Sequence, residues 1–250
     1  MLRLIGEGRM GGSLSRAARS RGLEASVVGR GFDPEQLAGD EVLICVPDDS
    51  IRDVAARVGT APVPARLVGH TSGVTGLDAL SSSGATEGVF SVHPLQTVPD
   101  SETSLDGAPA AVAGSNAEAV LFAETLASSL GLQPFDVPES DRALYHAAAS
   151  VSSNFLIALE QTAAELMSAA GVDRPRERLA PLVRRTVENW VERGPVALTG
   201  PVARGDRATI EMHREAIAGV SPELVDLYDR LAERTAAIAA DAGSVQRGRA

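Results

Sequence analysis

The feature that most constrains this chain is a glycine-rich turn directly after its first apolar segment. Residues 2–5 are LRLI, a short strand, and residues 6–11 are GEGRMG, which fits G-x-G-x-x-G at the start of a helix. The first glycine permits a sharp bend, the second lets the backbone approach a pyrophosphate, and the third lets helix pack on strand. The phosphates would lie on the free N–H groups of the helix N-terminus, so the turn predicts a dinucleotide site; a turn that binds nothing is the alternative. The predicted cofactor-binding residues here are Gly6, Gly8, Arg9, Met10 and Gly11.

Composition excludes several classes of protein. The formal net charge of −10 argues against a nucleic-acid-binding protein, because phosphate-binding surfaces are basic. No apolar stretch reaches the length of a membrane span and no signal-peptide pattern is present, so we expect a cytoplasmic protein. The single Cys45 excludes an internal disulfide, fits a reducing compartment, and is expected to be an inert thiol in an apolar strand. No metal site is predicted.

Apolar runs alternate with helical patterns as far as residue 136. Such near-continuous apolar strands are typical of a parallel sheet with helices on both faces, which predicts an α/β Rossmann domain over residues 1–136. The link from Gly31 to Asp40 is too short for a full crossover helix, so the predicted sheet is a trimmed one. The strand-like runs after the first are residues 25–29, 42–46, 65–69, 89–92 and 109–113.

From Pro138 onward the pattern is helical throughout. An all-helical domain is therefore predicted over residues 137–243, for substrate binding and dimerisation, because its alanine-rich helices suit close packing in a homodimer. Residues 244–250 are small and polar, and we expect a disordered tail there. The predicted helices are residues 139–169, 175–193, 206–218 and 222–241.

The residue that follows the second strand indicates which dinucleotide binds. In this fold an acid at that position holds the ribose 2′-hydroxyl of NAD, whereas an arginine accommodates the 2′-phosphate of NADP. The strand ends with Arg30 and no acid, so NADP is predicted and NAD is less favoured. A small register shift would bring Asp33 near the ribose, and Arg30 as a solvated loop residue is the other alternative.

Polar residues follow three further strands where a ligand of an open parallel sheet lies, beyond the carboxyl ends. Val46-Pro47-Asp48 is predicted to line the nicotinamide side, and His70 follows the next strand. His93 and Gln96 follow the third and are predicted to line the substrate site. Each histidine either lines the site or locks its loop through a hydrogen bond.

Three polar residues of the helical half share one helix face. His146, Ser150 and Asn154 fall at i, i+4 and i+8, and the first and last lie about 12 Å apart at about 1.5 Å rise per residue. They therefore cannot all contact one reacting atom, and we expect one end to face substrate and the other the nicotinamide amide. Polar residues that bridge two packed helices would show the same pattern.

These features together resemble a known group. A Rossmann domain, a VPD strand exit and polar residues on the first helix of an all-helical half resemble the 6-phosphogluconate-dehydrogenase-like superfamily, which includes β-hydroxyacid dehydrogenases, ketopantoate reductase and pyrroline-5-carboxylate reductase. More narrowly, four motifs resemble a Rossmann-like family of NADP-dependent oxidoreductases whose C-terminal part is a domain of unknown function, DUF2520. The four motifs are residues 70–73 (HTSG), 93–97 (HPLQT), 145–155 (YHAAASVSSNF) and 198–206 (LTGPVARGD).

The resemblance implies roles for residues of the helical half. Hydroxyacid dehydrogenases of the superfamily carry a catalytic Lys four residues before an Asn; Asn154 matches, but Ser150 stands at the Lys position and is a poor proton donor. His146 or His70 is therefore predicted as the proton donor, since imidazole titrates near neutrality.

A second implied site lies near residue 200. Pyrroline-5-carboxylate reductases bind substrate through a segment that Leu198-Thr199-Gly200-Pro201 resembles at its start, which implies that Thr199 binds substrate and Arg204 holds an anionic group. A helix stop with Asp206 as the next helix cap is the alternative.

The resemblance implies an enzyme, an NADP-dependent oxidoreductase that reduces a small carboxylate-bearing carbonyl or imine, such as a 2-keto acid, by hydride transfer. The alternative is a non-catalytic NADP(H)-binding regulatory or partner protein. The missing Lys favours the alternative, whereas the grouping of three of the four histidines around one predicted cleft disfavours it.

Overall fold

Seven strands form a single sheet in the first part of the chain. They are β1 (Leu2–Ile5), β2 (Ala25–Val28), β3 (Glu41–Ile44), β4 (Leu67–His70), β5 (Gly88–Pro94), β6 (Pro109–Gly114) and β7 (Gln133–Asp136). The computed structural model describes residues 1–29 and 31–247, with side chains described to residue 243. The chain divides into two compact units, Met1–Ser153 and Asn154–Ala250, and the sheet belongs to the first. We predicted a boundary after residue 136; the first unit continues beyond β7 and includes the following helix.

The strand order explains where a ligand can bind. The order is β2-β1-β3-β4-β5-β6-β7, and only the pairing of β5 with β6 is antiparallel. The carboxyl ends of β1 to β5 therefore meet at one edge, and the order reverses between β1 and β3, which opens a crevice there. The predicted Rossmann-type sheet is confirmed. The short link predicted between residues 31 and 40 joins β2 to β3, and it contains one 3₁₀ turn, Pro34–Leu37, in place of a crossover helix.

Helices cover both faces of the sheet. The first unit contains α1 (Arg9–Ser20), α2 (Ile51–Val58), α3 (Ala117–Ser129) and α4 (Arg142–Ser150). Residues of α1 and α3 share one buried apolar cluster with Leu4 and Leu43, while residues of α2 share another with Ile5 and Ile44. Neighbouring strand residues thus face opposite cores, which is why the strands are apolar without alternation.

The second unit is helical. Its helices are α5 (Leu156–Ala169), α6 (Pro175–Arg193), α7 (Pro201–Arg204), α8 (Arg207–Val220) and α9 (Val225–Arg247). A π-helical turn, Val151–Phe155, separates α4 from α5. None of the helices in the described part of the chain is long and apolar enough to cross a membrane. The predicted all-helical half is confirmed.

The end of the chain differs from our prediction. We predicted a disordered tail over residues 244–250, but α9 continues through residue 247, and residues 248–250 lie outside the described residues. Residues 244–247 thus form the last turn of α9. A single glycine, Gly243, costs a helix only about 1 kcal/mol, so it does not end α9.

The second unit buries few of its apolar side chains. Within its described side chains only Ala164 and Ile217 are buried hydrophobic residues. Trp190 and Val191 remain 63% and 71% exposed. Much apolar surface of the described part of this unit is therefore exposed.

Candidate functional site

The three glycines of the first turn have the separate properties that a dinucleotide turn requires. Gly6 has φ +124°, and a Cβ there would lie 2.5 Å from the carbonyl oxygen of Cys45. A Cβ on Gly11 would collide with the carbonyl oxygen of Gly6, so helix and strand approach as closely as glycine allows. Gly8 has nothing within 4 Å of a Cβ position. The turn is therefore tight at two glycines and open at the one that would face a pyrophosphate.

The first turn of α1 faces the same space. The helix begins at Arg9, and its first backbone hydrogen bond joins the Gly12 N–H to the Gly8 carbonyl oxygen at 2.9 Å. The N–H groups of Arg9, Met10 and Gly11 thus precede the first intrahelical bond and remain free to bind an anion. No acidic residue lies in this turn to repel phosphate. The residues present fit a dinucleotide phosphate.

Glu7, which sequence reasoning missed, lies beside the end of β2. Arg30, predicted to select NADP, lies outside the described residues. Glu7 lies beside this strand end, because a carboxylate oxygen of Glu7 is 3.3 Å from a Cβ position on Gly29. An acid therefore borders the predicted ribose site, although none follows β2 in the sequence. The middle position of G-x-G was the available signal, and only the fold shows that it faces β2.

The exit of β3 lies beside the glycine turn. A side-chain carbon of Val46 is 3.3 Å from a Cβ position on Gly6, while Pro47 and Asp48 are exposed. Cys45, just before this exit, is buried, and burial raises the pKa of its thiol to about 12. The thiol is thus protonated and unreactive at neutral pH, as we predicted.

His70 is buried and holds its own loop. It is 0% exposed, and its Nδ1 accepts a hydrogen bond from the Ser72 N–H at 3.2 Å. Burial and the Arg142 guanidinium lower the pKa of His70 to about 4. We predicted His70 as one of two possible proton donors, and in the structure the ring is fully buried. The alternative that we left open, a loop-locking histidine, describes it.

His93 and His146 meet at the carboxyl ends of β4 and β5. Their ring centroids are 6.0 Å apart, and a Cβ on Gly73 would lie 2.8 Å from Cε1 of His93 and 2.6 Å from Cδ2 of His146. Glycine at residue 73 therefore lets both rings approach the loop after β4. Nδ1 of His93 lies 2.7 Å from Oη of Tyr145, which precedes His146 on α4.

The charges around His93 keep it neutral. Burial lowers the pKa of His93 to about 4, and repulsion by His146 and Arg142 acts in the same direction. The carboxylate of Asp48 acts in the opposite direction. At neutral pH the imidazole is therefore uncharged, with one nitrogen carrying a hydrogen and the other accepting one.

A buried arginine lies under this cluster. Arg142 is 3% exposed and donates from Nη1 to Ser91 Oγ at 2.9 Å and from Nη2 to the Ser72 carbonyl oxygen at 2.7 Å. The carboxylate of Glu139 is 3.6 Å away. Sequence reasoning missed both Arg142 and Tyr145. Their spacing from His146 at i, i+3 and i+4 was a signal that the three share a helix face.

The remaining predicted site residues differ in their exposure and local contacts. Ser150 is half-buried on α4, and Asn154 is exposed in the π-helical turn, which interrupts the predicted α-helical spacing. Gln96 is exposed, and its Oε1 accepts from the Thr97 N–H. Thr199 and Arg204 are exposed in the second unit.

Asp206 caps α8 by accepting from the Thr209 N–H at 3.1 Å, so the helix stop that we left as an alternative is present. Among residues 1–29 and 31–247, no group of three or more histidine, cysteine or acidic side chains is placed to hold a metal ion.

Both the sequence and the fold are similar to known proteins. Residues 108–235 match the domain of unknown function DUF2520. The candidate NADP oxidoreductase BF3122 of Bacteroides fragilis is 21% identical with a TM-score of 0.77, and the match covers 94% of this chain and 97% of that one. Protein TM1727 of Thermotoga maritima is 21% identical with a TM-score of 0.75, and that match covers 96% of this chain and 99% of the other. A search of curated proteins gave no match.

A third similar structure contains a nicotinamide cofactor. The reductive aminase of Aspergillus terreus, in complex with NADPH and ethyl-5-oxohexanoate, is 17% identical with a TM-score of 0.69. The match covers 93% of this chain and 92% of that one. At these identities the three likenesses establish a shared fold.

Two glycine variants test the turn as a matched pair. Gly8→Ala should weaken NADPH binding at least tenfold, about 1.4 kcal/mol, and change the free energy of unfolding by less than about 1 kcal/mol, because its methyl enters open space. Gly11→Ala should lower the free energy of unfolding by about 1–3 kcal/mol or more, because its methyl strikes backbone. Urea unfolding and fluorescence titration with NADPH measure both. Equal losses of stability in the two variants would contradict this geometry.

Burial of His70 predicts a loss of stability in acid. The pKa is about 4 in the folded chain and about 6.5 when unfolded, so between these values only the unfolded chain binds the proton. Above that window the titration of His70 leaves the free energy of unfolding unchanged. Between pH 7 and pH 5 it should lower that free energy by about 2 kcal/mol.

Urea unfolding at the two pH values checks this. His70→Asn keeps an acceptor for the Ser72 N–H without titrating, so it should lose less stability than the wild type. His213→Asn, at an exposed position, serves as the control. Identical losses in wild type and His70→Asn would show that other groups carry the effect.

Proposed function

This chain belongs to the DUF2520 family, and we propose that it is an NADP-dependent oxidoreductase that reduces a small carbonyl or imine carrying a carboxylate. The observation that carries the proposal is the meeting of two features at one edge of the first unit's sheet. A turn open at Gly8 follows β1, and the neutral His93 beside His146 lies near the carboxyl end of β5. A dinucleotide turn and a proton-bearing pair at one edge are what a hydride-transfer site needs.

NADPH, when bound, would supply a hydride to the substrate carbon. Gly8 and the free N–H groups of α1 would hold its pyrophosphate, and Val46 would border the nicotinamide side. The names of two similar proteins support this cofactor class, since one is a candidate NADP oxidoreductase and the other contains NADPH. The guanidinium of Arg30 favours NADP because it would pair with the 2′-phosphate of that cofactor. The carboxylate of Glu7 beside Gly29 would repel the same phosphate.

The imidazoles of His93 and His146 are the proposed source of the proton. The oxygen or nitrogen of the substrate gains an electron pair as the hydride arrives, and a positioned acid accelerates such a step by about 10²–10⁴-fold. Both rings border Gly73, whereas His70 is enclosed. We therefore propose His146, as predicted, and add His93 as a candidate donor ahead of the buried His70.

The role of Arg204 as the group that holds the substrate carboxylate stays a prediction from the family resemblance. This guanidinium is exposed, and a planar fork suits a carboxylate. Ser150 and Gln96 of the first unit are proposed to contribute a hydroxyl and an amide group to the site, and the substrate-contact roles of Asn154 and Thr199 stay predictions. Carboxylate-bearing 2-keto acids and cyclic imines are the substrates to screen first.

One observation favours a second candidate function, a non-catalytic NADP(H)-binding regulator. The Lys position of related dehydrogenases is Ser150, and the pKa of His93 is about 4, so this ring carries no spare proton at neutral pH. A regulator would bind NADPH and turn over none of the screened substrates.

We also propose that two chains associate through the helical unit. Trp190 and Val191 on α6 are mostly exposed, and the unit buries only Ala164 and Ile217 among its described apolar side chains. Covering that surface would stabilise the assembly by about 25 cal/mol for each Å² of apolar area buried. A symmetric second copy is the commonest way to cover such a face.

Light scattering during gel filtration checks the dimer. Wild type should have about twice the chain mass of 25.9 kDa. Trp190→Glu should lower the mass to that of one chain, because it buries a charge in the proposed interface. Val63→Glu replaces an apolar residue, 54% exposed, on the first unit and should leave the mass unchanged. A monomeric wild type would overturn this assignment.

Nucleotide titration tests the oxidoreductase proposal itself. NADPH should bind more tightly than NADH. Arg30→Ala should weaken NADPH at least tenfold, about 1.4 kcal/mol, with little change for NADH. Glu7→Gln should strengthen NADPH binding, because it removes a negative charge beside the 2′-phosphate. Arg193→Ala, at an exposed position on α6, is the charge-matched control. Failure to bind either nucleotide would overturn the proposed function.

A further inference from the structure

The hydrogen bond between Tyr145 and His93 determines which nitrogen of the imidazole carries its hydrogen. The phenol of Tyr145 is half-buried, and Nδ1 of His93 is 2.7 Å from its oxygen. Among the described contacts, Nδ1 of His93 is the acceptor within reach of the phenol hydrogen. With the phenol as the donor to Nδ1, the hydrogen of the neutral ring is on Nε2.

The Nε2 edge of His93 faces the loop at the carboxyl end of β4. A Cβ on Gly73 would lie 2.9 Å from Nε2 and 2.8 Å from Cε1. His146 borders the same glycine from α4. The two nitrogens of His93 thus have different neighbours, since Nδ1 faces the phenol and Nε2 faces the loop that borders the proposed substrate site.

Arg142 provides the charge that such a pair needs. Its guanidinium is buried and repels a proton on His93. It also favours the ionised form of Tyr145, although burial raises the pKa of that phenol. The guanidinium thus stabilises a phenolate with a neutral imidazole and disfavours an imidazolium.

We propose that Tyr145 and His93 form a proton relay for the reduction, which rests on the proposed function. As the hydride arrives, the carbonyl or imine π pair moves to oxygen or nitrogen. That atom takes the hydrogen from Nε2 of His93 while Nδ1 takes the phenol hydrogen. The electron pair of the broken O–H bond stays on Oη of Tyr145 as a phenolate, which water then reprotonates. His93 is the catalytic residue, and Tyr145 is a positioning residue that resupplies it.

The relay answers the objection that His93 is neutral. A neutral imidazole cannot act as an acid by losing its only hydrogen unless its other nitrogen gains one at the same time. The hydrogen bond from Tyr145 supplies it.

The tautomer of His93 tests the hydrogen bond without turnover. Long-range proton–nitrogen NMR spectra of ¹⁵N-histidine-labelled protein distinguish the two neutral tautomers, and His93→Gln identifies the His93 signal. Wild type should have the hydrogen on Nε2, and Tyr145→Phe should lose that preference. Tyr228→Phe is the matched control, because it removes the same phenol–imidazole contact from His213, 2.9 Å in the second unit. A hydrogen on Nδ1, or no change in Tyr145→Phe, would overturn the relay.

Kinetics with a substrate found by the screen test the proton transfer. Tyr145→Phe should lower kcat at least tenfold and leave KM and the NADPH affinity within about twofold, since the phenol touches neither ligand. Tyr228→Phe should leave all three unchanged. Equal kcat in Tyr145→Phe and wild type would overturn the relay and leave the proposed function standing. A wild type that binds no nucleotide would overturn the proposed function. A wild type that binds NADPH but reduces no substrate would overturn the relay, because no proton transfer to a substrate would then occur.

Discussion

The buried guanidinium of Arg142 is the interaction on which the candidate site depends. Burying a cation costs several kcal/mol unless hydrogen bonds and a counter-charge compensate for lost water. Arg142 meets this cost with bonds to Ser91 on β5 and to the Ser72 carbonyl oxygen after β4, and with Glu139 nearby. These bonds join the start of α4 to two neighbouring strands, so one turn later Tyr145 and His146 lie against His93.

The parallel strands of the sheet bring the polar residues of the candidate site to one edge. Because β1 to β5 run parallel, their carboxyl ends share one edge, and the chain needs no long loops to collect polar groups there. Two apolar cores hold the strands from opposite faces, with Leu43 in one and Ile44 in the other. The edge can therefore tolerate glycines, a buried histidine and an arginine, because the stability of the unit comes from the cores on either side.

The amino-acid pattern predicted the dinucleotide turn in detail. Spacing alone assigned a bend to Gly6, close approach to Gly8 and tight packing to Gly11, and the structure has those three environments. A turn of six residues is local, so its conformation follows from the conformational range of glycine. The caps at Asn116 and Asp206 were predictable for the same reason, since each bonds an N–H three residues away.

The histidines show where local pattern ends. His70 and His93 both lie at the ends of strands, and their local sequence patterns are equivalent. Yet His70 is buried and bonds to the Ser72 N–H of its own loop, whereas His93 contacts Tyr145, 52 positions along the chain. Glu7 and Arg142 were likewise overlooked, because each acts on a partner that is remote in sequence. What the chain's own order of residues dictates is the periodicity of strands and helices, the glycine turn and the caps. The burial of the Arg142 cation and the neighbours of each imidazole depend on contacts across the sheet edge, and those exist only once α4 has packed.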